Sequence, residues 1–168
     1  MGGGHQVTNT TLAAEFNIWA DPEAAQIVLS YGTKVTFVPL DTDYAVYVTA
    51  NESEEIRVIG TQAARATAGL IDQRVKACNL IRTLEILSVA ALHDALALLA
   101  AIDYSILRDV RFARINVDIS GGFADGRTII DNRSITDHAK NAYIALDADR
   151  DKFINMLKGY LELSKNLY

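Results

Sequence analysis

Two groups of polar residues in this 168-residue chain carry side chains that could do chemistry. His93 and Asp94 are adjacent and directly precede an apolar stretch. A histidine can transfer a proton near neutral pH, and a carboxylate can bind a hard cation such as Ca²⁺. Asn9, Glu15 and Asn17 form the second group, near the start of the chain. Their amide and carboxylate groups can donate and accept hydrogen bonds.

Each of these residues also has a purely structural interpretation. Asp94 opens an apolar segment, which is the usual place for a helix N-cap, and the pattern alone favours that role. His93 could equally be a surface histidine. Asparagines such as Asn9 commonly satisfy turns, and a glutamate is usually solvated. The residue types by themselves therefore leave both interpretations open.

The segment that follows the second group predicts an α/β unit. Residues 1–20 are expected to form a loop, because they show no sustained apolar period. Asp21 is the predicted N-cap and Pro22 the first residue of a helix that ends before Gly32. Residues 34–40 (KVTFVPL) are apolar on both faces and predict a parallel strand covered by helices.

The middle of the chain is predicted to be mostly helical. Residues 51 to about 87 form this region, with Ser53 as a possible N-cap and Gly60 as a break. A further apolar helix is expected over about 94–101. Cys78, the single cysteine, is expected to be a small buried hydrophobic residue.

The last third of the chain predicts three strands and a closing helix. The strands are expected at 111–119, 126–131 and 141–147, with glycine-containing turns between the first two. An amphipathic helix is expected from Asp149 to about 165. Its predicted apolar face consists of Phe153, Met156, Leu157, Tyr160 and Leu161. No repeat or linker is recognisable, so residues 1–168 are interpreted as one domain, or one piece of one.

Composition excludes several classes of function. Half of the residues are apolar and 22% are charged, which is typical of globular proteins. A net charge of −5 argues against a nucleic-acid partner. No apolar run reaches the length that crosses a bilayer, and the N-terminus lacks a signal-peptide pattern, so no membrane association is expected. One cysteine cannot form an internal disulfide, and a cytoplasmic location is expected.

Three segments resemble the inosine-uridine-type nucleoside hydrolase family and together cover nearly the whole chain. The first contains Met1-Gly-Gly-Gly, then Asn9-Thr-Thr, then Ala14-Glu-Phe-Asn-Ile-Trp-Ala-Asp-Pro-Glu-Ala-Ala. It is similar to the family's block of Met-Gly-Gly, Asn-x-Thr, Glu-Phe-Asn-Ile and Asp-Pro-Glu-Ala-Ala. This signal is highly specific, because so many fixed residues occur together.

The other two segments lie further along the chain. Val38-Pro-Leu-Asp41 is similar to the strand and loop that follow the family's helix, although Asp43-Tyr44 stands where members often carry Thr-His. Leu92-His-Asp-Ala95 resembles the family's His-Asp motif. The tail segments Gly126–Asp131 and Ala145–Phe153 are also similar to the family. The implied fold is a partial nucleoside hydrolase-like α/β fold, with a mixed or parallel sheet, flanking helices and a C-terminal helix.

The resemblance implies a reaction and a role for each site residue. The family hydrolyses the N-glycosidic bond of ribonucleosides to base and ribose, with bound Ca²⁺. Asp94 matches a carboxylate that binds Ca²⁺ and touches the sugar, and His93 matches a position that assists departure of the base. The residues assigned to ribose are Met1, Asn9, Glu15 and Asn17, and all of these side chains are expected to converge on one cleft with Asp94. Phe16 and Trp19 are interpreted as core residues.

The sequence departs from the family at the metal site. The family's N-terminal cluster Asp-x-Asp-x-Gly-x-Asp-Asp has no counterpart here. Asp94 offers one carboxylate, whereas Ca²⁺ takes roughly 6–8 oxygens. We therefore expect a truncated C-terminal half that is inactive by itself and binds calcium weakly at best.

Three functional hypotheses follow. The chain could be half of a split N-glycosidase, a non-catalytic riboside-binding or interaction protein, or a fragment of an ordinary enzyme. Its expected ligand is a ribonucleoside or ribose. Because half a domain leaves apolar faces uncovered, a homo-oligomer or a complex with an N-terminal partner chain is also expected.

Overall fold

The computed structural model describes residues 1–81, 88–131, 133 and 138–166. The chain divides into two compact units, which we call the sheet unit and the helical unit. The sheet unit comprises Met1–Thr42 and Leu107–Ala148, and the helical unit comprises Asp43–Ile106 and Asp149–Tyr168. Helices and strands follow in this order: α1 Phe16–Ala20, α2 Pro22–Ser30, β1 Thr36–Phe37, α3 Leu40–Asp43, β2 Val48–Thr49, α4 Ala50–Val58, α5 Gln62–Ile81, β3 Val89–Ala90, α6 His93–Ile102, β4 Leu107–Val117, β5 Thr128–Asp131, β6 Ala142–Ala148 and α7 Arg150–Leu163.

The sheet unit contains a four-stranded mixed sheet in the order β1-β6-β4-β5. Strand β1 is parallel to β6, with Phe37 beside Ile144, whereas β4 is antiparallel to both β6 and β5. The predicted α/β fold with a mixed sheet is therefore confirmed. The parallel strand predicted over 34–40 covers only Thr36–Phe37, because the chain turns into α3 at Leu40.

Helix α2 begins as the sequence predicts. The Asp21 side chain accepts a hydrogen bond from the Ala24 backbone N–H, and Pro22 is the first helical residue. Gly32 follows the helix with a φ of 82°, in the left-handed region that glycine adopts at little cost. Leu29 of α2 packs in a core with Ile115 and Ile144 of the sheet.

Helix α1 was not predicted, because residues 1–20 were expected to be loop. Its N-cap is Glu15, and its buried side chain is Ile18. Phe16 and Trp19 are 54% and 44% exposed, so their assignment to the core is wrong. The physical reason is helical geometry: residues three apart share a face, and here that face points away from the core residue Ile18.

The helical unit is built around α4 and α5, which lie in the region predicted to be helical and pack against each other. Thr49, and not Ser53, caps α4, in a capping box with Glu52. Ser53 is buried instead, and its hydroxyl donates to the Ala68 carbonyl. Gly60, with a φ of 81°, separates α4 from α5 as predicted. The predicted helical residues 82–87 lie outside the described residues.

Strands β2 and β3 form an antiparallel pair beside these helices, and α6 follows β3 after two residues. The closing helix predicted from Asp149 to about 165 is α7, and Asp149 is its N-cap. Phe153 is fully buried, but Tyr160 is 45% exposed, and Ile154, outside the predicted apolar face, is buried. Cys78 is buried as predicted.

Within the described residues, no helix combines the length and the hydropathy needed to cross a membrane.

Candidate functional site

Glu15 organises the N-terminal segment of the sheet unit. Its carboxylate is 2% exposed and accepts three backbone hydrogen bonds. Oε1 accepts from the Asn17 N–H at 2.9 Å, while Oε2 accepts from the N–H groups of Gly3 at 2.9 Å and Ile18 at 3.2 Å. One side chain therefore caps α1 and fixes the Met1–Gly3 segment.

The other predicted ribose residues of the sheet unit lie around the same helix. Asn17 donates from Nδ2 to the Met1 sulfur at 3.1 Å. Asn9 Oδ1 accepts from the Phe16 backbone N–H at 3.0 Å. Asn9 and Asn17 are both exposed and Met1 is half-buried, so their side chains reach solvent. The structure brings Met1, Asn9, Glu15 and Asn17 together on one short segment.

Asp41 supports this segment from α3. Its carboxylate accepts from the backbone N–H groups of His5 and Gln6, each at 2.7 Å. Gly4 lies in the same turn, and a Cβ placed there would be 1.8 Å from the carbonyl oxygen of Val7. A side chain at position 4 is therefore incompatible with this turn, which explains why the residue is glycine.

His93 and Asp94 form the first turn of α6 in the helical unit. The N-cap of α6 is Leu92, which makes no side-chain capping hydrogen bond, so the interpretation of Asp94 as an N-cap is wrong. Asp94 is instead an exposed carboxylate in the first turn, where the helix dipole favours negative charge.

The His93 ring lies between a carboxyl group and a guanidinium group of the same unit. Its Nδ1 lies 3.2 Å from Asp43 Oδ2, and its Nε2 lies 2.8 Å from an Arg74 guanidinium nitrogen. The Tyr44 ring packs against it with a centroid separation of 5.7 Å. The ring is 17% exposed and Asp43 is fully buried. We call Asp43, His93 and Arg74 the histidine triad.

Burial dominates the electrostatics of Asp43. Removal of the carboxyl group from water raises its pKa to about 6, although the hydrogen bond from His93 opposes this shift. Oδ2 faces His93, while the buried Oδ1 has no hydrogen-bond partner among the described residues. Among the described residues, Asp43 therefore makes its side-chain hydrogen bond to His93 through one oxygen.

The calcium implied by the family does not fit the residues that the structure describes. Among them, no group of three or more His, Cys, Asp or Glu side chains is arranged to hold a metal ion. Asp94 contributes one carboxylate, far short of the oxygen ligands that Ca²⁺ takes.

Sequence reasoning singled out Met1, Asn9, Glu15, Asn17 and the His93-Asp94 pair, but it missed two residues that contact His93. Asp43 was noted only as a departure from the family pattern, and Arg74 was not singled out. The available signal for Asp43 was its position three residues after the end of the apolar segment 35–40. Arg74 carries no local signal, because it meets His93 only through packing of α5.

Comparison with known proteins supports the family. The family model described as inosine-uridine preferring nucleoside hydrolase matches residues 1–155. The inosine-uridine preferring nucleoside hydrolase of Crithidia fasciculata is 30% identical over 162 residues, covering 96% of this chain and 50% of that protein. The pyrimidine-specific ribonucleoside hydrolase of Shigella boydii is 29% identical, with 96% and 51% covered.

Solved structures show the same fold. The purine-preferring ribonucleoside hydrolase from Gardnerella vaginalis is 30% identical and superimposes with a TM-score of 0.81, covering 97% of this chain and 52% of the other. A plant nucleoside hydrolase, 24% identical, superimposes with a TM-score of 0.85, covering 96% and 52%. The chain spans about half the length of the relatives it matches. It belongs to the inosine-uridine preferring nucleoside hydrolase family.

Proposed function

We propose that this chain supplies the nucleoside-recognition part of a ribonucleoside N-glycosidase. The observation that supports this role is the joined set of ribose residues in the sheet unit, where Asn17 contacts Met1 and Glu15 fixes Gly3. In this proposal the set in the sheet unit binds the ribose, and His93 of the helical unit assists departure of the base, which is the role that the family resemblance implies.

The chemistry of the set suits a sugar. Asn9 and Asn17 present exposed amides, which can donate to and accept from ribose hydroxyls. Glu15 Oε1 accepts one backbone hydrogen bond, so one of its lone pairs remains for a hydroxyl donor. Because its carboxylate is already fixed by the backbone, little side-chain entropy is lost when a sugar binds.

We also propose that residues 1–168 by themselves do not hydrolyse nucleosides. Asp94 alone does not make a calcium site, and the family's aspartate cluster has no counterpart in this sequence. The missing carboxylates would come from another polypeptide segment, and the chain would associate with it or with copies of itself.

Calorimetric titration of the 168-residue chain with inosine and uridine tests the binding proposal. We expect measurable binding that Asn17→Ala weakens about tenfold, because one or two hydrogen bonds to the ribose are lost. Asn155→Ala, which removes an exposed asparagine from α7, is the matched control and should bind as the wild type does. Equal binding by Asn17→Ala and the wild type would contradict the ribose role.

A hydrolysis assay of the same chain, with and without added Ca²⁺, tests the inactivity proposal. We expect no release of base in either condition. Turnover that depends on calcium would contradict it, because residues of this chain would then form a complete metal site.

A further inference from the structure

The hydrogen bonds of the histidine triad fix which ring nitrogen of His93 carries the proton. A guanidinium group has donors only, so Nε2 of His93, which faces Arg74, must accept. A neutral imidazole has one N–H, which therefore lies on Nδ1 and donates to Asp43 Oδ2. For His93 to donate a proton from Nε2, its contact with Arg74 would first have to break.

The contacts of the histidine triad restrict the conformation of the Arg74 side chain. Asp43 is fully buried and anchors Nδ1, and the Tyr44 ring packs against the imidazole. The imidazole in turn anchors the Arg74 guanidinium through Nε2. A long side chain that would otherwise sample many rotamers is therefore held by its tip.

Arg74 keeps unused hydrogen-bonding capacity. Its side chain is half-buried on α5, and within the described residues His93 Nε2 is its one hydrogen-bond partner. A guanidinium has five N–H donors in a rigid planar fork and keeps its charge at all physiological pH values. The remaining donors and the charge are thus available to a ligand that presents acceptors.

We propose that Arg74 contacts the base of a bound nucleoside and that Asp43, acting through His93, is its positioning residue. This inference rests on the proposed function, in which His93 assists departure of the base. Because Arg74 only donates, it selects base edges that present acceptors, such as the O6 and N7 atoms of hypoxanthine or the carbonyl oxygens of uracil. Adenine places an amino group at the corresponding edge, and two donors facing each other cannot pair.

Titration of the full 168-residue chain with inosine and with adenosine tests the base contact. We expect the wild type to prefer inosine and Arg74→Met to lose about tenfold in inosine affinity, with adenosine affinity changed less than about twofold. Lys76→Met removes a positive charge from the same helix and is the control for long-range electrostatics, so it should keep the preference. Equal losses for both nucleosides, or no loss for either, would overturn the role of Arg74. Failure of the wild type to bind any nucleoside would overturn the proposed function and this inference with it.

The positioning role of Asp43 has an independent readout. Long-range ¹H–¹⁵N NMR spectra report which ring nitrogen of a histidine is protonated, and the chain has three histidines, so His93→Gln identifies the signals of His93. We expect the Nδ1–H form in the wild type and in Asp43→Asn, which keeps an acceptor oxygen. Asp43→Val should shift His93 toward the Nε2–H form, releasing Arg74 and lowering inosine affinity as Arg74→Met does. A His93 ring protonated on Nε2 in the wild type would overturn the triad geometry. If Asp43→Val does not fold, the titration of Arg74→Met still decides whether Arg74 contacts the base.

Discussion

At the residue scale, single side chains in this protein connect parts of the fold that are distant in sequence. Glu15 caps α1 and also accepts from Gly3, 12 positions earlier. Asp43 reaches His93 across 50 positions and has no exposed surface. Glu15 recovers three backbone hydrogen bonds on burial, whereas Asp43 recovers one, and the uncompensated loss of water is what raises the pKa of Asp43.

Asp43 should make the stability of the fold depend on pH. Its pKa is about 6 when folded, against 3.8 for an unperturbed aspartate, so the folded state holds the proton more tightly. The stabilisation from that proton is complete below pH 4 and is lost as the pH rises through 6, up to about 3 kcal/mol. Asp43→Asn cannot titrate, so its unfolding free energy relative to the wild type should increase by about 2 kcal/mol between pH 4 and 7, because part of the stabilisation is already lost at pH 4.

Urea denaturation of both proteins at several pH values between 4 and 7 measures this difference. Titrating groups that do not contact Asp43 are common to the two proteins and cancel in the comparison, and a second pair that carries His93→Gln in both proteins removes the contribution of His93. A constant difference across the range would show that Asp43 titrates in the folded protein as it does in the unfolded chain.

At the scale of elements, glycines have opposite roles in the two units. Gly126 precedes β5 with a φ of 77°, and a Cβ there would lie 2.8 Å from the Trp19 Cα of α1. Gly69 lies inside α5, and a Cβ there would meet no atom within 4 Å. The first glycine permits a close approach between backbone segments, whereas the second only adds backbone freedom to a helix.

Alanine substitutions should therefore change stability in opposite directions. Gly126→Ala should lower the free energy of unfolding by about 1–3 kcal/mol, because the residue is strained and the α1 backbone must move. Gly69→Ala should raise it by about 0.5–1 kcal/mol, since alanine loses less backbone entropy in a helix. Chemical denaturation measures both, and a stabilising Gly126→Ala would contradict the packing of α1 on this turn.

At the scale of the whole molecule, the surface retains large apolar side chains. In the sheet unit Leu12 and Phe123 are essentially fully exposed, and the partly exposed rings of Phe16 and Trp19 lie 6.4 Å apart. Burial of these side chains against a second chain would remove apolar area from water and so favour association.

The purified chain should therefore self-associate when no partner is present. Sizing chromatography with multi-angle light scattering should give a mass above 18.4 kDa that falls on dilution. Replacing both Leu12 and Phe123 with serine should shift the dissociation to higher concentration, because each substitution removes apolar area that association would bury. A monomer mass at every concentration would contradict this proposal.

The sequence by itself determined the family, the α/β fold class and the positions of the main helices, and it predicted which residues bind the ribose. These depend on local signals, such as the cap at Asp21 and the glycine at position 32, or on motifs of adjacent fixed residues. Such signals act over three or four positions, so they can be found without knowledge of packing. The short helix α1 was missed because its cap is a glutamate, which is not a preferred N-cap residue.

Only the tertiary structure decided what surrounds these residues. It assigned Glu15 to the backbone of Gly3, left Phe16 and Trp19 exposed, and placed Arg74 against His93. The physical reason is that burial and hydrogen-bond direction depend on segments brought together by packing of the core. The sequence names His93 as a chemical group, but the buried Asp43 and the guanidinium of Arg74 determine which of its nitrogens carries the proton.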